Sequence, residues 1–311
     1  MVIKYDLNDK FLSSNVNELI EFYNEFSNRD DLISWMKGRP KSDGKIYVEE
    51  NKIGNIVVII PTKDVDSNYA LQCRNVIYKG ISQIFVESVK PRDTFFNYAH
   101  NVNKGIEYAM KMDPDWIILS NDDMVRVDPP EKLVSELSKF DPSRYDTLFT
   151  IPEGLYHSFH RMIATPNSLY STVAKLHPNR LRKTRLELWK KFNLRYLDAL
   201  DKGIVGIISK LLYSNKFRHI LTGSFTILSR DFVNNISGKV FDDTFINGGE
   251  DSDLSLRLIF NGKYSKINYE ITDLVGKSLG TGWERILRNV VNEVYLSYKI
   301  ENGMIPFKYQ I

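Results

Sequence analysis

Apolar positions first recur at helical spacing. Val16, Leu19, Ile20, Phe22, Tyr23 and Phe26 fall on one face of a 3.6-residue repeat, and a shorter apolar stretch over 32–36 follows. Gly38, Pro40, Ser42, Asp43 and Gly44 interrupt that pattern with residues that favour turns. The texture changes after Gly54. Ile56-Val57-Val58-Ile59-Ile60 is an unbroken β-branched run ended by Pro61, the pattern of a strand covered on both faces as in a parallel sheet. Helical spacing over 69–78 leads to a second short run, Gln83-Ile84-Phe85-Val86-Glu87. A helix over 97–112 then leads to a third, Trp116-Ile117-Ile118-Leu119. Strand, helix, strand, helix, strand at these distances predicts an α/β unit whose parallel strands are joined by right-handed crossovers. Further along, 219–223 and 225–228 have strand texture, 254–260 reads as a helix, and 283–298 as one amphipathic helix.

This pattern divides the chain into five segments: a helical extension (1–53), an α/β half (54–150), a basic and mainly helical insertion (151–218), a second half (219–275) and a helical tail (276–311). A chain of 311 residues, 42% hydrophobic and 26% charged, has the profile of a folded globule and is long enough to bury a core without disulfides or metal staples. The balance of 42 Lys+Arg against 39 Asp+Glu is too even to argue for a nucleic-acid binder, and none is expected. That even balance hides a local excess. Between 153 and 218 there are 13 Lys/Arg and 4 acids. The single cysteine, Cys73, points to a reducing compartment and reads as a small buried residue. With no signal-peptide pattern and no run of about 18 apolar residues, a cytoplasmic location is expected, including the inner face of a membrane as a peripheral site.

Candidate chemistry gathers at the predicted strand ends, where ligands bind in parallel α/β sheets. Pro61-Thr62-Lys63-Asp64 follows the first strand, Glu87-Ser88 the second, and Ser120-Asn121-Asp122-Asp123 the third. Carboxylates placed so can hold Mg²⁺ or Mn²⁺, with substrate phosphates completing the shell, although they also serve as turn and cap residues. Gly248-Gly249-Glu250-Asp251-Ser252-Asp253 opens the later helix. Acids are favoured at any helix N-terminus, but three of them behind a glycine pair exceed what capping needs. One could serve as a general base.

Four pieces occur in register: Val57-Val58-Ile59-Ile60-Pro61-Thr62, Asn103-Lys104-Gly105-Ile106-Glu107-Tyr108-Ala109, Leu119-Ser120-Asn121-Asp122-Asp123, and the Gly248–Asp253 run continued by Leu254-Ser255-Leu256-Arg257-Leu258. Together they resemble the GT-A fold glycosyltransferases, most closely the inverting family 2 enzymes, over about 54–275 without the basic stretch. The resemblance implies a GT-A-like, Rossmann-like α/β fold: a mostly parallel central sheet flanked by helices, with a helical basic insertion and helical termini. It implies a hexosyl transfer from a UDP- or GDP-sugar to a hydroxyl of a glycan, protein or lipid-linked acceptor. Pro61, Thr62 and Lys63 would lie under the nucleotide, Glu87 would contact the base where the family usually has aspartate, and Asn103 belongs to the same donor side. Asp122 would touch ribose or sugar, Asp123 would bind Mn²⁺ or Mg²⁺, and Asp251 would be the general base with Glu250 beside it. The charges of Glu250 and Asp253 are expected to raise the pKa of Asp251. One departure stands out: the histidine that family members often place near the metal has no counterpart in Lys277-Ser278-Leu279-Gly280.

The basic stretch has two readings. It is either a site for an anionic or lipid-linked acceptor, with 204–213 against a membrane surface, or a solvated insertion whose apolar residues complete the core. The sequence also leaves room for a homodimer through the N-terminal helices or the tail. Two rivals to the transferase reading remain. A nucleotidyltransferase would need a glycine-rich basic loop after the first strand, and residues 61–66 contain no glycine. A non-catalytic nucleotide- or nucleic-acid-binding protein on a transferase-like fold would have no need of Asp123 and Asp251.

Overall fold

A computed structural model of the chain describes residues 5–51, 53–88, 93–150, 159–160, 162–164, 167–176, 179–198, 219–220, 224–236, 239–274 and 282–305. Three helices open it, α1 (Tyr5–Leu12), α2 (Val16–Asn24) and α3 (Arg29–Gly38). Side-chain caps start two of them: Asn15 accepts from the Asn17 N–H, and Asn28 from the Asp31 N–H, both at 3.0 Å. Then follow β1 (Lys45–Glu49), β2 (Ile56–Thr62), α4 (Asn68–Gln72), which runs into a π turn over Cys73–Ile77, β3 (Ser82–Glu87), α5 (Tyr98–Met110), β4 (Trp116–Ser120), β5 (Met124–Arg126), α6 (Pro130–Leu137) and β6 (Thr147–Phe149). The middle of the chain holds β7 (Phe159–His160), β8 (Met162–Ala164), α7 (Asn167–Leu176), α8 (Arg180–Lys191), β9 (Tyr196–Asp198) and β10 (His219–Ile220). The last part holds β11 (Phe225–Ser229), α9 (Arg230–Asn235), α10 (Glu250–Asn261), β12 (Tyr264–Lys266), β13 (Ile271–Asp273), α11 (Trp283–Arg288) and α12 (Val290–Glu301).

Seven strands form one α/β sheet in the order β1-β3-β2-β4-β11-β6-β12. The three predicted strands are its centre, and the unbroken apolar runs of β2 and β4 are buried along their length apart from Pro61. The sheet is mixed, which corrects the expectation of a mostly parallel one. β3–β2, β2–β4 and β6–β12 pair in parallel, whereas β1–β3, β4–β11 and β11–β6 are antiparallel. β1 is the element that helical periodicity did not foretell. It lies inside the segment read as helical and forms the sheet edge, its five residues pairing with β3 from Lys45↔Glu87 to Glu49↔Gln83. The tail is two helices broken at Asn289, not one.

Two apolar clusters cover the two faces of the sheet. A third core lies away from the sheet and unites three segments that are remote in sequence. Phe11, Phe22, Tyr23 and Trp35 of the N-terminal helices pack with Tyr170, Trp189 and Phe192 of the insertion and with Leu287, Val291 and Tyr295 of the tail. Polar contacts fix the same junction. Trp189 Nε1 donates to Glu293 Oε2 at 2.6 Å, Arg185 pairs with the same carboxylate, and the Tyr23 hydroxyl donates to the Leu287 carbonyl. The basic insertion is therefore partly core, as one of its two readings requires. Residues 204–213 lie outside the described residues.

Trp189 is 1% exposed at the centre of this junction. Trp189→Ala is expected to lower unfolding free energy by about 3–5 kcal/mol in denaturant titration, since it leaves a cavity and an unpaired Glu293 oxygen.

Candidate functional site

The chain comes up through β2 and β4 to the same end of the sheet, and their last residues lie side by side. Thr62 Oγ1 donates to Asp122 Oδ2 at 2.7 Å, which joins the ends of the first and third predicted strands. The Cys73 thiol donates to the Asp122 carbonyl at 3.3 Å, and burial pushes that thiol up, so it packs as a small buried group. Burial also raises the Asp122 carboxyl above the usual carboxylate range, while the Thr62 bond works against that rise. Lys63 is exposed in the turn after β2, with no hydrogen bond or ion pair among the described residues, and half-buried Pro61 precedes it.

Asp123 is 5% exposed, and its Oδ1 is buried without a hydrogen-bond partner. A residue that sequence reasoning missed lies beside it. β13 pairs antiparallel with β5, setting Asp273 opposite Met124, and the Leu274 N–H donates to the Asp123 carbonyl at 3.0 Å. Asp273 Oδ1 is likewise buried and unpartnered, while its Oδ2 accepts from the Ser224 hydroxyl. Burial raises the Asp123 carboxyl, and the charges of Asp273 and then Asp122 push it further up. Unpartnered buried carboxylate oxygens are costly unless something positive answers them. A hard divalent cation fits this donor set, because magnesium commonly takes one or two carboxylates and completes its shell from substrate. Among the described residues no group of three or more His, Cys, Asp or Glu could hold a metal without such help. The segment 277–280, where the resemblance leaves out a histidine, lies outside the described residues. The signal for Asp273 was legible in principle, because Ile271-Thr272-Asp273 ends a short strand on an acid just as Ser120-Asn121-Asp122 does.

Glu250 and Asp251 reach the same end by a different route. After β11 and α9 the chain climbs along α5 toward that helix's N-terminus, tied there by asparagines. Asn103 Nδ2 donates to the Phe241 carbonyl at 2.8 Å and its Oδ1 accepts from the Phe241 N–H at 3.0 Å. Asn97 Nδ2 donates to the Phe245 carbonyl at 2.7 Å, and Asn247 Oδ1 accepts from the Tyr98 N–H at 2.8 Å. Asn292 of α12 grips the loop from the other side, accepting from the Ile246 N–H at 2.8 Å and donating to its carbonyl at 3.0 Å. Gly249 then turns the chain into α10 with φ +86°, and a Cβ there would stand 3.1 Å from the Phe245 ring. The turn is a mount, held on both sides, that delivers Glu250 and Asp251 beside Tyr98, whose phenol their charges help to raise.

Two of the predicted donor-side residues thus have structural occupations. Asn103 spends both ends of its amide on Phe241 and is 6% exposed, which makes it a tie for the loop before α10. Glu87 accepts from the Val65 N–H at 3.0 Å and from the Tyr47 hydroxyl at 3.1 Å, which braces the turn carrying Lys63. Its longer side chain is what reaches across to that turn.

The charge balance of the Glu-Asp run also differs from expectation. Asp253 is 0% exposed and is answered by Lys299 Nζ at 2.6 Å and Arg257 Nε at 3.2 Å, so it is neutralised. The rise in the Asp251 carboxyl comes from burial, and the neighbouring charges act instead on Glu250. Glu250 is 8% exposed with an unpartnered Oε2, and burial together with the charge of Asp251 pushes it up to about 8. Burial thus raises both carboxyls, and Glu250, which also feels the charge of Asp251, keeps its proton near neutrality. Compared with models of known protein families and with curated proteins, the chain matches none.

A carboxyl raised by folding from 4.5 to about 8 stays protonated in the fold while the unfolded chain has already released its proton. Stability is then lost as pH rises between those two values. Denaturant midpoints of the wild type are expected to fall across that window, and Glu250→Gln is expected to flatten the fall. Equal slopes in both proteins would refute the assignment.

Proposed function

We propose that this chain is a metal-dependent, inverting glycosyltransferase of GT-A type that moves a hexosyl group from a UDP- or GDP-sugar to an acceptor hydroxyl on a glycan, a protein or a lipid-linked molecule. The observation that carries the reading is the pair of adjacent acids, Asp123 and Asp273, each with a buried unpartnered oxygen at the strand ends. Support also comes from the glycine-led turn that brings Glu250 and Asp251 to the same end of the sheet. Asp123, with Asp273, would hold Mn²⁺ or Mg²⁺, which when bound supplies a positive centre for the charge of a departing diphosphate.

The chain's own residues do the rest. Thr62 fixes one oxygen of Asp122 and so sets the orientation of that carboxylate toward a ribose or sugar hydroxyl. Lys63, exposed in a turn braced by Glu87, offers a cation to a phosphate. Glu87 thus serves the nucleotide through the turn it holds. Asp251 takes the proton from the acceptor hydroxyl as that oxygen attacks the anomeric carbon. The bond from that carbon to the diphosphate oxygen breaks, its electron pair leaves with the nucleotide, and attack from the opposite side inverts the centre. Glu250, protonated at neutral pH, does not compete for this proton and donates a hydrogen bond instead.

Calorimetry with UDP, GDP and their sugar conjugates, with and without Mn²⁺, tests the donor side. One nucleotide is expected to bind only with metal, and Asp123→Ala and Asp273→Asn are each expected to abolish that metal dependence. Absence of nucleotide binding under any condition would end the transferase reading. With a donor identified, Asp251→Asn is expected to lower kcat by roughly 10²–10⁴ while leaving donor affinity unchanged.

A further inference from the structure

The insertion carries a feature that neither core nor catalysis uses. α7 and α8 form a helical hairpin whose inner side is buried through Tyr170, Val173, Leu186 and Trp189. The end of α7 and the start of α8 are exposed. Leu176, the last residue of α7, is 78% exposed, far more than the other exposed large hydrophobic side chains among the described residues. Around it in sequence and exposed like it are Lys175, Arg180, Arg182 and Lys183. Lys183 approaches Glu187 only to 3.9 Å, and Lys175, Arg180 and Arg182 have no ion pair among the described residues. From 154 to 186 the chain contains no Asp or Glu at all.

We propose that the end of α7 and the start of α8 dock on an anionic lipid bilayer, with Leu176 entering the headgroup boundary and Lys175, Arg180, Arg182 and Lys183 lying against the lipid phosphates. An exposed leucine with exposed cations close to it in the chain combines the two contributions that interfacial binding uses, apolar insertion and attraction to negative headgroups. A nucleic acid would use the cations and leave the leucine in water. Among the described residues, the hairpin's aromatic rings Tyr170 and Trp189 are both buried and offer nothing for a base to stack on. Charge distribution sets the orientation. The stretch 153–218 holds 13 Lys/Arg and 4 acids while the whole chain is only +3, so the rest of the molecule is net acidic and is repelled by the same surface. The hairpin is also rigidly presented, because Arg185 and Trp189 anchor α8 to Glu293 of the tail.

Sedimentation of the full chain with vesicles tests this without reference to turnover, so its result is separate from that of the transferase reading. The protein is expected to pellet with vesicles of phosphatidylcholine and phosphatidylglycerol in equal parts, less so as salt rises, and not with phosphatidylcholine alone. The triple variant Arg180→Gln, Arg182→Gln, Lys183→Gln should bind roughly 100-fold more weakly. Leu176→Gln should bind roughly tenfold more weakly at every salt concentration. Circular dichroism of both variants should match the wild type, as these side chains are outside the core. No pelleting of the wild type, or pelleting that neither variant alters, would overturn the proposal. So would binding to a DNA duplex that is tighter than to the anionic vesicles and indifferent to Leu176→Gln.

Discussion

The architecture turns on one buried charge. Asp253 is fully enclosed, and a carboxylate in such a place has to be answered or expelled. Lys299, from the final helix, answers it and at the same time binds Asp242 at 2.9 Å, whose other contacts are the Tyr295 hydroxyl and the Thr244 N–H. Asp242 is held down to about 2 by this company, with Lys299 overcoming the upward effect of burial. The start of α10, the loop before it and the tail are thereby fixed to one another by charge. Everything that places Glu250 and Asp251 depends on that junction. Asn292, about two turns earlier on the same helix, adds the backbone pairing that stops the loop from sliding.

Much of the sheet was legible in the chain because its central strands are buried on both faces, and continuous β-branched runs have few other uses. Its edges were not. Lys45-Ile46-Tyr47-Val48-Glu49 alternates polar and apolar residues over only five positions, right after a turn-rich break in a helical region, and pairing with β3 is what decides its state. The reversed directions of β1 and β11 were equally out of reach, because local pattern records burial and not direction. The helical layer shows the same limit. Its helices α2, α8 and α12 lie in segments read as mainly helical, but nothing local says that Phe22, Trp189 and Tyr295 share one interior.

The site divides along similar lines. Asp122, Asp123, Glu250 and Asp251 stood out because they end strands or open a helix behind glycines. Asp273 did not, because it ends a three-residue strand whose only importance is its partner, β5. Asn292 and Lys299 are polar residues on the buried side of an otherwise apolar helix. That is a readable anomaly, yet their purpose lies on another element. Asn103 shows the same dependence on a distant segment, because its amide also holds the Phe241 backbone. In each case the missing information is the identity of a long-range partner.

The helical core built from the first, middle and last segments has a consequence for how the molecule comes into being. Its contacts join residues more than 250 positions apart, such as Tyr23 with Leu287 and Arg29 with Glu301. On a ribosome, Phe11, Phe22 and Trp35 of the opening helices can pack on one another early, but their core is completed only when α12 has been made. Closure over such separations is entropically slow. During that interval Tyr23 lacks its Leu287 partner and Arg29 its Glu301 partner, so the young chain carries a helical layer with one side still open.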